Sequence, residues 1–537
     1  MPTLNPHLRS RIGKLCVAIT GSSATDMIDR ATSIAKETPF LEFRLDYLDK
    51  PLLALPKLQQ FLLANTAVTA IATCRRTEAG GRFEGSVNAE VEVLAKAAAA
   101  GFHLVDLEIQ SAEALKKGDL QKLRETGIGL IISWHDFKST PDLDAVYERI
   151  EPFQPDIVKI VPTARTLVDN LTMMRFIERI SDSTSIIGIC MGEVGIISRV
   201  LGLRAGSIST FSATSAGEET APGQIAARTL IETYRIEDID AATKIYGVAG
   251  NPVGKSLSPL MMNAAFRRET VNAVYLSLQT ANVGDLIELI RQIPIQGVSV
   301  TMPHKQALLE HLEHMDPLSK KIGAVNTLLC APGGKLYGFN TDVAGVIIPL
   351  EKRMPLKGAK VLVLGAGGSA RAAVFGLRDK GAEVFILNRT PETAAKLAKE
   401  SGAKVIKREA ILKTTFDVII NATPIGMSGQ KVALLLNEEE LRTKLVFDLV
   451  YNPVDTPLIR MARQHNIPVI TGVEMFIQQG ARQFEIWTGK PAPEEEMLRV
   501  VVHALRQQAE AAATTSSNLA EKPRPSATPK PKPRKAS

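Results

Sequence analysis

A single lysine inside an apolar run is the first residue of this sequence whose surroundings suggest chemistry. Lys159 interrupts the β-branched stretch PDIVKIVP, which has the length of a buried strand. Burial and cationic neighbours both lower the pKa of an ammonium, and the neutral amine then attacks a ketone to form a Schiff base. The alternative is that Lys159 is a structural cation paired with Glu42, Asp46 or Glu108.

A glycine-rich turn in the second half of the chain suggests a second kind of chemistry. The apolar run KVLVL leads directly into the pattern G-x-G-x-x-A and then into a helix-compatible segment. Backbone amides and a helix N-terminus at such a turn receive a pyrophosphate. The residues of the turn are Gly365, Ala366, Gly367, Gly368, Ser369 and Ala370.

The strand after this turn indicates which dinucleotide binds. It reads AEVFILNRT and ends in Asn388, Arg389 and Thr390. An NAD site needs Asp or Glu there to bind the ribose 2′-hydroxyl, whereas a cation suits a 2′-phosphate. The sequence therefore predicts NADP, with Arg389 as the selecting residue; the alternative is that Arg389 is an exposed surface arginine.

The elements around Lys159 form a regular array. Eight short apolar runs recur through residues 15–213, and helix-compatible segments such as NAEVEVLAKAAAAG separate most of them. Alternation of this kind predicts a parallel sheet, and a count of eight predicts a closed (β/α)8 barrel. The runs are LCVAIT, FLEFRLDYL, AVTAIATCR, HLVDLEI, GLIISWHDF, DIVKIV, IIGICMG and SISTFSA.

Polar residues stand inside these runs or at their ends. Because a barrel places its chemistry at the carboxyl ends of its strands, charges on most strands would meet at one mouth. Such a mouth suits an anionic, polyhydroxylated ligand. The residues concerned are Glu42, Arg44, Asp46, Arg75, Asp106, Glu108, His135, Asp136, Lys159, Ser198, Arg199, Thr220 and Gln224.

Six motifs in order, EFRLD, TCR, SWHDF, DIVKI, MGEVGIISR and APGQI, resemble type I 3-dehydroquinate dehydratase over about residues 11–236. The resemblance implies a covalent imine between Lys159 and the substrate C3 ketone. It implies that His135 removes the C2 proton and helps to expel the C1 hydroxyl as water. It further implies that Glu42 positions both residues. The residues that hold the carboxylate and hydroxyls would be Arg44, Arg75, Arg199 and Gln224.

Two positions depart from that pattern. The family's Glu-Gly-Gly after the third strand reads EAGG here, so Ala79 stands in the expected glutamate position and Glu78 lies one residue earlier. This puts one substrate contact from a lid loop in doubt. The usual serine before APGQ is Thr220, which keeps the hydroxyl.

A second set of motifs resembles shikimate dehydrogenase over roughly residues 244–508. They include KSLSP, VTMPHK, GAVNT, GFNTD, NATPIGM, FDLVYNP and EMFIQQGARQFEIWTG. The resemblance implies that Lys305, oriented by Asp342, passes a proton to the oxygen of the ketone being reduced. Two histidines frequent in the family are replaced here by Lys255 and Met262. Implied substrate contacts are Ser256, Ser258, Thr301, Asn326 and Gln479; implied cofactor contacts are Thr423, Met427, Tyr451 and Gly472.

The 537 residues predict several domains. We expect a dehydratase barrel over 11–236, a substrate-binding domain over 244–345 completed by 473–510, and a Rossmann domain over 346–472. A disordered basic tail would cover 511–537. Residues 521–537 contain six Lys/Arg and one Glu, so they supply +5 of the net +7. This composition predicts a solvated tail, with a weak anion- or RNA-binding arm as the alternative.

The two resemblances explain each other, since the dehydratase product, 3-dehydroshikimate, is the dehydrogenase substrate. The sequence thus predicts one NADP-dependent chain for two consecutive steps. Alternatives are a class I aldolase in the first half, a quinate dehydrogenase in the second, or a regulatory protein without activity. We expect a cytoplasmic protein with four reduced cysteines and no metal, nucleic-acid or membrane partner. Its oligomeric state stays open.

Overall fold

A computed structural model describes residues 4–428 and 435–520. The chain divides into two compact units. The first comprises the residues up to Thr341 together with Arg482–Ala492, and the second comprises Asp342–Ala481 together with the residues from Pro493 on.

The first unit begins with the eight-stranded parallel barrel that the sequence predicts. Each strand pairs with its neighbour along the chain up to the seventh, and the first also pairs with the eighth. The seam between the seventh and eighth strands carries a hydrogen bond from the Ile208 N–H to the Ile186 carbonyl (2.9 Å). The strands are β1 (Leu15–Ile19), β2 (Phe40–Arg44), β3 (Thr69–Thr73), β4 (Leu104–Glu108), β5 (Gly129–His135), β6 (Ile157–Val161), β7 (Ile186–Gly188) and β8 (Thr210–Ala213).

Helices surround this barrel, and a short one precedes it. The side chains of Ser23 and Ser86 cap their helices, and each accepts a hydrogen bond from the backbone N–H three residues later, as serine does at helix N-termini. The helices are α1 (Pro6–Arg9), α2 (Ala24–Ile34), α3 (Pro51–Ala64), α4 (Val87–Ala99), α5 (Ile109–Ala114), α6 (Lys117–Glu125), α7 (Leu143–Ile150), α8 (Leu167–Ile180) and α9 (Ser198–Ala205).

The barrel interior changes from apolar to charged along the strands. Successive side chains of a strand alternate between its two faces, so every second residue points inward. The first inward residues form an apolar cluster that the buried Leu4 joins: Cys16, Phe40, Ile71, Leu104, Ile131, Ile157 and Ile187. Two or four residues further along, the same faces carry Glu42, Arg44, Thr73, Asp106, Glu108, Ser133, His135 and Lys159.

A six-stranded mixed sheet follows in the same unit, in the order β10-β9-β11-β13-β14-β12. Buried apolar residues of this sheet and of the barrel belong to one hydrophobic cluster. The elements are β9 (Lys244–Gly250), α10 (Ser258–Arg268), β10 (Ala273–Gln279), α11 (Val283–Gln292), β11 (Ile295–Val300), β12 (His314–Met315), α12 (Pro317–Ile322), β13 (Thr327–Ala331) and β14 (Lys335–Phe339).

The second unit contains a six-stranded, all-parallel sheet in the order β17-β16-β15-β18-β19-β20. Its elements are α13 (Asp342–Glu351), β15 (Lys360–Leu364), α14 (Gly368–Asp379), β16 (Glu383–Leu387), α15 (Pro391–Ser401), β17 (Lys404–Val405), α16 (Arg408–Ile411), β18 (Val418–Asn421), β19 (Val446–Asp448), α17 (Pro457–Gln464), β20 (Val469–Ile470), α18 (Gly472–Thr488) and α19 (Glu494–Ala520). The residues of α18 from Arg482 on belong to the first unit.

The last helix is longer than the sequence analysis predicts. The tail was expected from residue 511, but α19 continues to Ala520. Its first added residues, 511–513, are three alanines, which favour helix. Residues 521–537 lie outside the described part of the chain. Within that described part, none of the helices combines the length and hydropathy needed to cross a membrane. Cys16, Cys74, Cys190 and Cys330 are free thiols.

Glu90, on a helix that surrounds the barrel, is a buried carboxyl group that lies outside the charged network of the barrel mouth. Glu90 on α4 is 1% exposed and accepts a hydrogen bond from the Ser111 hydroxyl on α5 (2.6 Å). Burial raises the pKa of Glu90 to about 7, although the Ser111 hydrogen bond acts in the opposite direction. The protonated form is therefore the one that the fold favours.

We predict that Glu90→Gln removes a pH-dependent loss of stability. The stabilisation associated with protonated Glu90 is complete below about pH 4.5, its ordinary pKa, and is lost as the pH rises through about 7. The Tm of the variant should exceed that of the parent by a margin that grows between pH 5 and pH 8.5. Differential scanning fluorimetry measures this margin, with Glu92→Gln, an exposed neighbour on α4 paired with Lys96, as control. A margin that stays constant over this pH range would contradict the prediction.

Candidate active sites

The barrel mouth gathers the residues that the sequence analysis assigns to a dehydratase site. They line one pocket with about 520 Å³ of empty space, open at the carboxyl ends of the strands. Every predicted dehydratase residue is among those lining it. The lining includes Glu42, Arg44, Arg75, Ala79, Gly80, His135, Phe137, Lys159, Arg199, Phe211, Thr220 and Gln224.

Lys159 lies on β6 inside the barrel and is 4% exposed. Its Nζ donates to Asp106 Oδ2 on β4 (2.9 Å) and lies 3.6 Å from Glu42 Oε1 on β2. The ring of Phe211 on β8 covers it at 3.9 Å from Nζ to the ring centroid. Sequence reasoning stressed cationic neighbours, but the charged groups nearest this amine are carboxylates. Of the three ion-pair partners considered from sequence, only Glu42 approaches it in the structure.

His135 ends β5 and is oriented by a carboxylate on the neighbouring strand. Its Nδ1 lies 2.8 Å from Glu108 Oε2, and its backbone N–H donates to Glu108 Oε1 (2.9 Å). The sequence analysis gave this orienting role to Glu42, which instead accepts from the Thr73 hydroxyl (2.8 Å). With Nδ1 occupied by this contact, Nε2 is the ring nitrogen left to act on a ligand.

Arg75 ties these groups together rather than standing free at the mouth. Its guanidinium forms ion pairs with Asp106 (2.8 Å) and with Glu108, and its Nη1 lies 3.2 Å from His135 Nδ1. The Ser133 hydroxyl donates to Asp106 Oδ1 (2.5 Å) and completes the network. Two cations, Arg75 and Lys159, thus share the buried carboxylate of Asp106, and Arg75 also pairs with Glu108.

This network sets the protonation of its members. Burial acting alone raises the pKa of Asp106, but Arg75, Lys159 and the Ser133 hydrogen bond outweigh it and hold that pKa well below its usual value. Burial, and then the positive charges of Arg75 and Lys159, lower the pKa of His135 well below its usual value. The site therefore holds a permanent carboxylate beside the amine and a neutral imidazole that can accept a proton.

The rim of the pocket contributes further donors. Burial lowers the pKa of Arg199 to about 10, and its guanidinium donates to the Gly223 and Phe211 carbonyls (2.9 and 3.0 Å). Gln224 Oε1 accepts from the Thr220 N–H (2.7 Å) and hydroxyl (3.2 Å).

Two rim features bear on how much of the mouth is free for a ligand. Arg44 forms a bidentate pair with Asp46 (2.9 and 2.8 Å). Ala79 lines the pocket, whereas the exposed Glu78 pairs with Arg76, so Glu78 does not take the place of the family's glutamate.

The sequence placed Asp106 and Glu108 among the inward charges but indicated no catalytic role for either. The available signal was the alternation in HLVDLEI, which places both acids on the inward face of one strand. Their partners could not be read from that strand. Lys159 lies 53 positions from Asp106 along the chain, and Arg75 lies 33 positions from Glu108.

The predicted dehydrogenase residues of the first unit lie on loops at one edge of its mixed sheet. The hydroxyls of Ser256 and Ser258 lie 3.1 Å apart at the start of α10. Asn326 Oδ1 accepts from the Thr341 N–H (2.7 Å). Lys305 is half-buried on the loop that follows β11, where its carbonyl accepts from the Val325 N–H (2.9 Å). Thr301 begins the same loop.

The remaining dehydrogenase residues lie in the second unit. Asp342 is buried at the start of α13, and Gln479 is buried on α18, where its amide donates to the Phe476 carbonyl (2.9 Å). Tyr451 stacks on Phe476 with 4.5 Å between ring centroids. Gly472 begins α18 where a side chain would collide with the Val450 carbonyl, since a Cβ there would lie 2.3 Å from that oxygen.

The glycine turn has the geometry that a pyrophosphate needs. Gly365 has a φ of +113°, which favours glycine, and the turn runs into α14 at Gly368. A Cβ built on Gly367 meets no atom within 4 Å, so open space faces the helix N-terminus. Arg389 is exposed after β16, and among residues 4–428 and 435–520 it has no hydrogen-bond or ion-pair partner. The residues present therefore fit a dinucleotide phosphate.

Family models match both halves of the chain. A family model described as type I 3-dehydroquinase matches residues 15–241. Three further models, for the shikimate dehydrogenase substrate binding domain, shikimate / quinate 5-dehydrogenase and the shikimate 5′-dehydrogenase C-terminal domain, match residues 248–328, 350–456 and 472–502.

Individual relatives cover either the whole chain or its second half. A chloroplastic bifunctional 3-dehydroquinate dehydratase/shikimate dehydrogenase of Arabidopsis thaliana is 35% identical over 511 residues, which span 90% of this chain and 83% of the relative. A shikimate dehydrogenase (NADP(+)) of Maridesulfovibrio salexigens is 38% identical over 273 residues, 50% of this chain and 100% of the relative. The crystal structure of Thermus thermophilus shikimate 5-dehydrogenase with NADP(H) and shikimate is 36% identical and covers 49% of this chain and 100% of its own, with a TM-score of 0.46.

We predict that the His135 imidazole is neutral throughout the physiological pH range. Burial and the adjacent cations lower its pKa, so protonation requires a pH well below the ordinary value of 6.5. NMR of protein with 13C-labelled histidine would follow the eight imidazoles against pH, and the signal missing from His135→Gln assigns this one. A midpoint for His135 at pH 6.5 or above would contradict the account of the network.

Proposed function

Since the chain belongs to the family of bifunctional 3-dehydroquinate dehydratase/shikimate dehydrogenases, we propose that its buried Lys159 and its glycine turn at Gly365–Ala370 serve the family's two reactions. The chain is a lyase and an NADP-dependent oxidoreductase of the shikimate pathway. It dehydrates 3-dehydroquinate to 3-dehydroshikimate and reduces 3-dehydroshikimate to shikimate. The assignments of individual residues that follow are the proposal.

In the dehydratase reaction Lys159 is the nucleophile. Its amine adds to the C3 ketone, and loss of water gives an imine that draws electrons from C2. His135, kept neutral by its surroundings, removes the C2 proton to leave an enamine. It then returns a proton to the C1 hydroxyl, which departs as water while the C1–C2 double bond forms. Hydrolysis of the imine releases 3-dehydroshikimate and restores the lysine.

The carboxylates around Lys159 carry the proposal, because they match the charge that the reaction creates. The protonated imine has the same single positive charge as the ammonium that it replaces. Asp106 lies 2.9 Å and Glu42 3.6 Å from the ammonium, so both are already in position to stabilise that charge. Glu108 keeps the His135 ring aligned through Nδ1.

Residues of the rim hold the substrate while Lys159 and His135 act. We assign the carboxylate of the substrate to Arg199, whose guanidinium, within the part of the chain that the structure describes, donates to carbonyls and to no carboxylate. The hydroxyls of the substrate are assigned to Arg44, Thr220 and Gln224. Arg75 orients the internal carboxylates and does not need to contact the ligand, which modifies the role that sequence reasoning gave it.

In the dehydrogenase reaction the second unit binds NADPH, which supplies a hydride to the C3 ketone. The turn Gly365–Ala370 and the N-terminus of α14 receive the pyrophosphate, and Arg389 contacts the 2′-phosphate. Asn388, Thr390, Thr423, Met427, Tyr451 and Gly472 complete the cofactor set.

The chain's own acid completes that reaction. Lys305, oriented by Asp342, gives a proton to the developing alkoxide. Ser256, Ser258, Thr301, Asn326 and Gln479 hold the substrate. The corresponding domains are the barrel over 11–236, the substrate-binding domain over 244–345 with 473–510, and the Rossmann domain over 346–472.

The test separates the two reactions within one chain. The parent protein should convert 3-dehydroquinate and NADPH to shikimate. In Lys159→Met, which keeps the bulk of the side chain without the amine, dehydration should fall by about three orders of magnitude or more. The same variant should reduce added 3-dehydroshikimate at the parental rate, since that step does not use Lys159.

A matched control is Lys138→Met, which removes an exposed lysine three residues after His135. Both activities should survive in it. Dehydration at a near-parental rate by Lys159→Met would refute the Schiff-base assignment and leave Lys159 as a buried structural cation.

A further inference from the structure

Asp448 ends β19 in the Rossmann unit and is completely buried, with 0% exposure. Its carboxylate accepts three hydrogen bonds. Oδ1 accepts from the Asn421 side-chain amide (2.9 Å) and the Val450 N–H (3.0 Å), and Oδ2 accepts from the Thr456 hydroxyl (2.6 Å). No lysine or arginine of the described residues forms an ion pair with it. The roles proposed above leave this acid, part of the motif FDLVYNP, unexplained.

The first of these hydrogen bonds continues into the loop after β18. Asn421 uses its amide oxygen to accept from the N–H of Thr423 (2.9 Å) and from its hydroxyl (2.7 Å), and its amide nitrogen also donates to the Ile425 carbonyl (3.1 Å). Asn421 thus fixes the shape of the loop that carries Thr423 and Met427, and Asn421 is itself held by its hydrogen bond to Asp448.

The other two hydrogen bonds fix the loop after β19. Val450 precedes Tyr451 directly, and Thr456 caps α17 by accepting from the Ile459 N–H (3.2 Å). The two loops also touch further out, where the Ser428 N–H donates to the Asn452 carbonyl (3.1 Å). Asp448 therefore joins both loops at their bases.

The glycine turn rests on the same structure. A Cβ built on Gly365 would lie 3.0 Å from the Ala422 carbonyl and 3.1 Å from Thr423 Cγ2, so the turn packs against the loop that Asn421 shapes. Asp448 is therefore hydrogen-bonded to the loops after β18 and β19, and the loop after β15 packs against the loop after β18. These loops carry the pyrophosphate turn and the contacts assigned to Thr423, Met427 and Tyr451.

We propose that Asp448 is a positioning residue that holds these three loops in the arrangement that receives NADP. The inference rests on the cofactor site proposed above. Burial raises the pKa of Asp448, which means that a charge is kept here at a cost, and three converging donors offset part of that cost. An apolar side chain would leave the Asn421 amide and the Thr456 hydroxyl without their buried acceptor, and both loops would relax.

The test measures binding of NADP+ to the full chain by isothermal titration calorimetry. Asp448→Ala should raise the Kd by about tenfold or more, which corresponds to about 1.4 kcal/mol or more. Asp448→Asn, which retains one carbonyl oxygen for Asn421 and Val450, should recover most of the affinity. In steady state the KM for NADPH should rise while the KM for 3-dehydroshikimate stays at the parental value. A general loss of packing would move both.

Two controls locate the effect. Asp417→Asn alters a carboxylate at the amino edge of the same sheet, where it accepts from the Lys360 N–H and pairs with Lys444, and should leave the Kd for NADP+ unchanged. Dehydration takes place in the barrel of the first unit, so parental dehydratase turnover in each variant shows that the rest of the chain is folded. Should Asp448→Ala fail to fold, Asn421→Ala breaks the connection to Thr423 while keeping the acid, and it should raise the Kd to a similar extent.

An NADP+ affinity within twofold of the parent in Asp448→Ala overturns the inference, and so does parental affinity in Asn421→Ala when the first variant does not fold. Arg389→Ala separates this outcome from failure of the cofactor assignment itself. Parental affinity in Arg389→Ala would refute the proposed 2′-phosphate contact. A raised Kd in Asp448→Ala alongside it would still support the positioning role.

Discussion

A lysine ammonium enclosed in the barrel between two carboxylates and an aromatic ring is the interaction on which the dehydratase half depends. A charge that is 4% exposed needs compensation, and Asp106, Glu42 and Phe211 supply it from three other strands. Arg75 also points inward, where it pairs with Asp106 and with Glu108. The apolar cluster at the opposite end of the strands supports this charged layer from below.

The same electrostatic arrangement serves structure and chemistry together. Burial, together with the charges of Arg75 and Lys159, lowers the pKa of His135 and favours the neutral ring, while the same two cations keep Asp106 ionised. Both protonation states are those that imine chemistry needs. The second unit shows a parallel case in which no described lysine or arginine pairs with the carboxylate. There Asp448 is stabilised by neutral donors that belong to the ends of β18 and β19 and the loops after them, where cofactor contacts are proposed. In both units a buried carboxylate organises elements that are distant in sequence.

The sequence predicted the eight barrel strands and the residues of the barrel pocket because strand alternation and short motifs are local properties. It predicted the glycine turn for the same reason. It did not predict two contacts across strands, those of Glu108 with His135 and of Asp106 with Lys159. Asp448 escaped notice because its partners come from two loops, 27 and 8 positions away. The extension of α19 to Ala520 was missed because the composition of the tail dominated the reading of that region.

The central claim is that Lys159 forms the covalent imine, and reductive trapping tests it most directly. The chain is incubated with 3-dehydroshikimate and sodium borohydride, digested and examined by mass spectrometry, with a sample lacking the ligand as control. Reduction of the imine converts a reversible bond into a stable amine. The account predicts one ligand-derived adduct, on the peptide that contains Lys159, together with irreversible loss of dehydration and retention of ketone reduction. An adduct on another lysine, or loss of dehydration without any adduct, would contradict it.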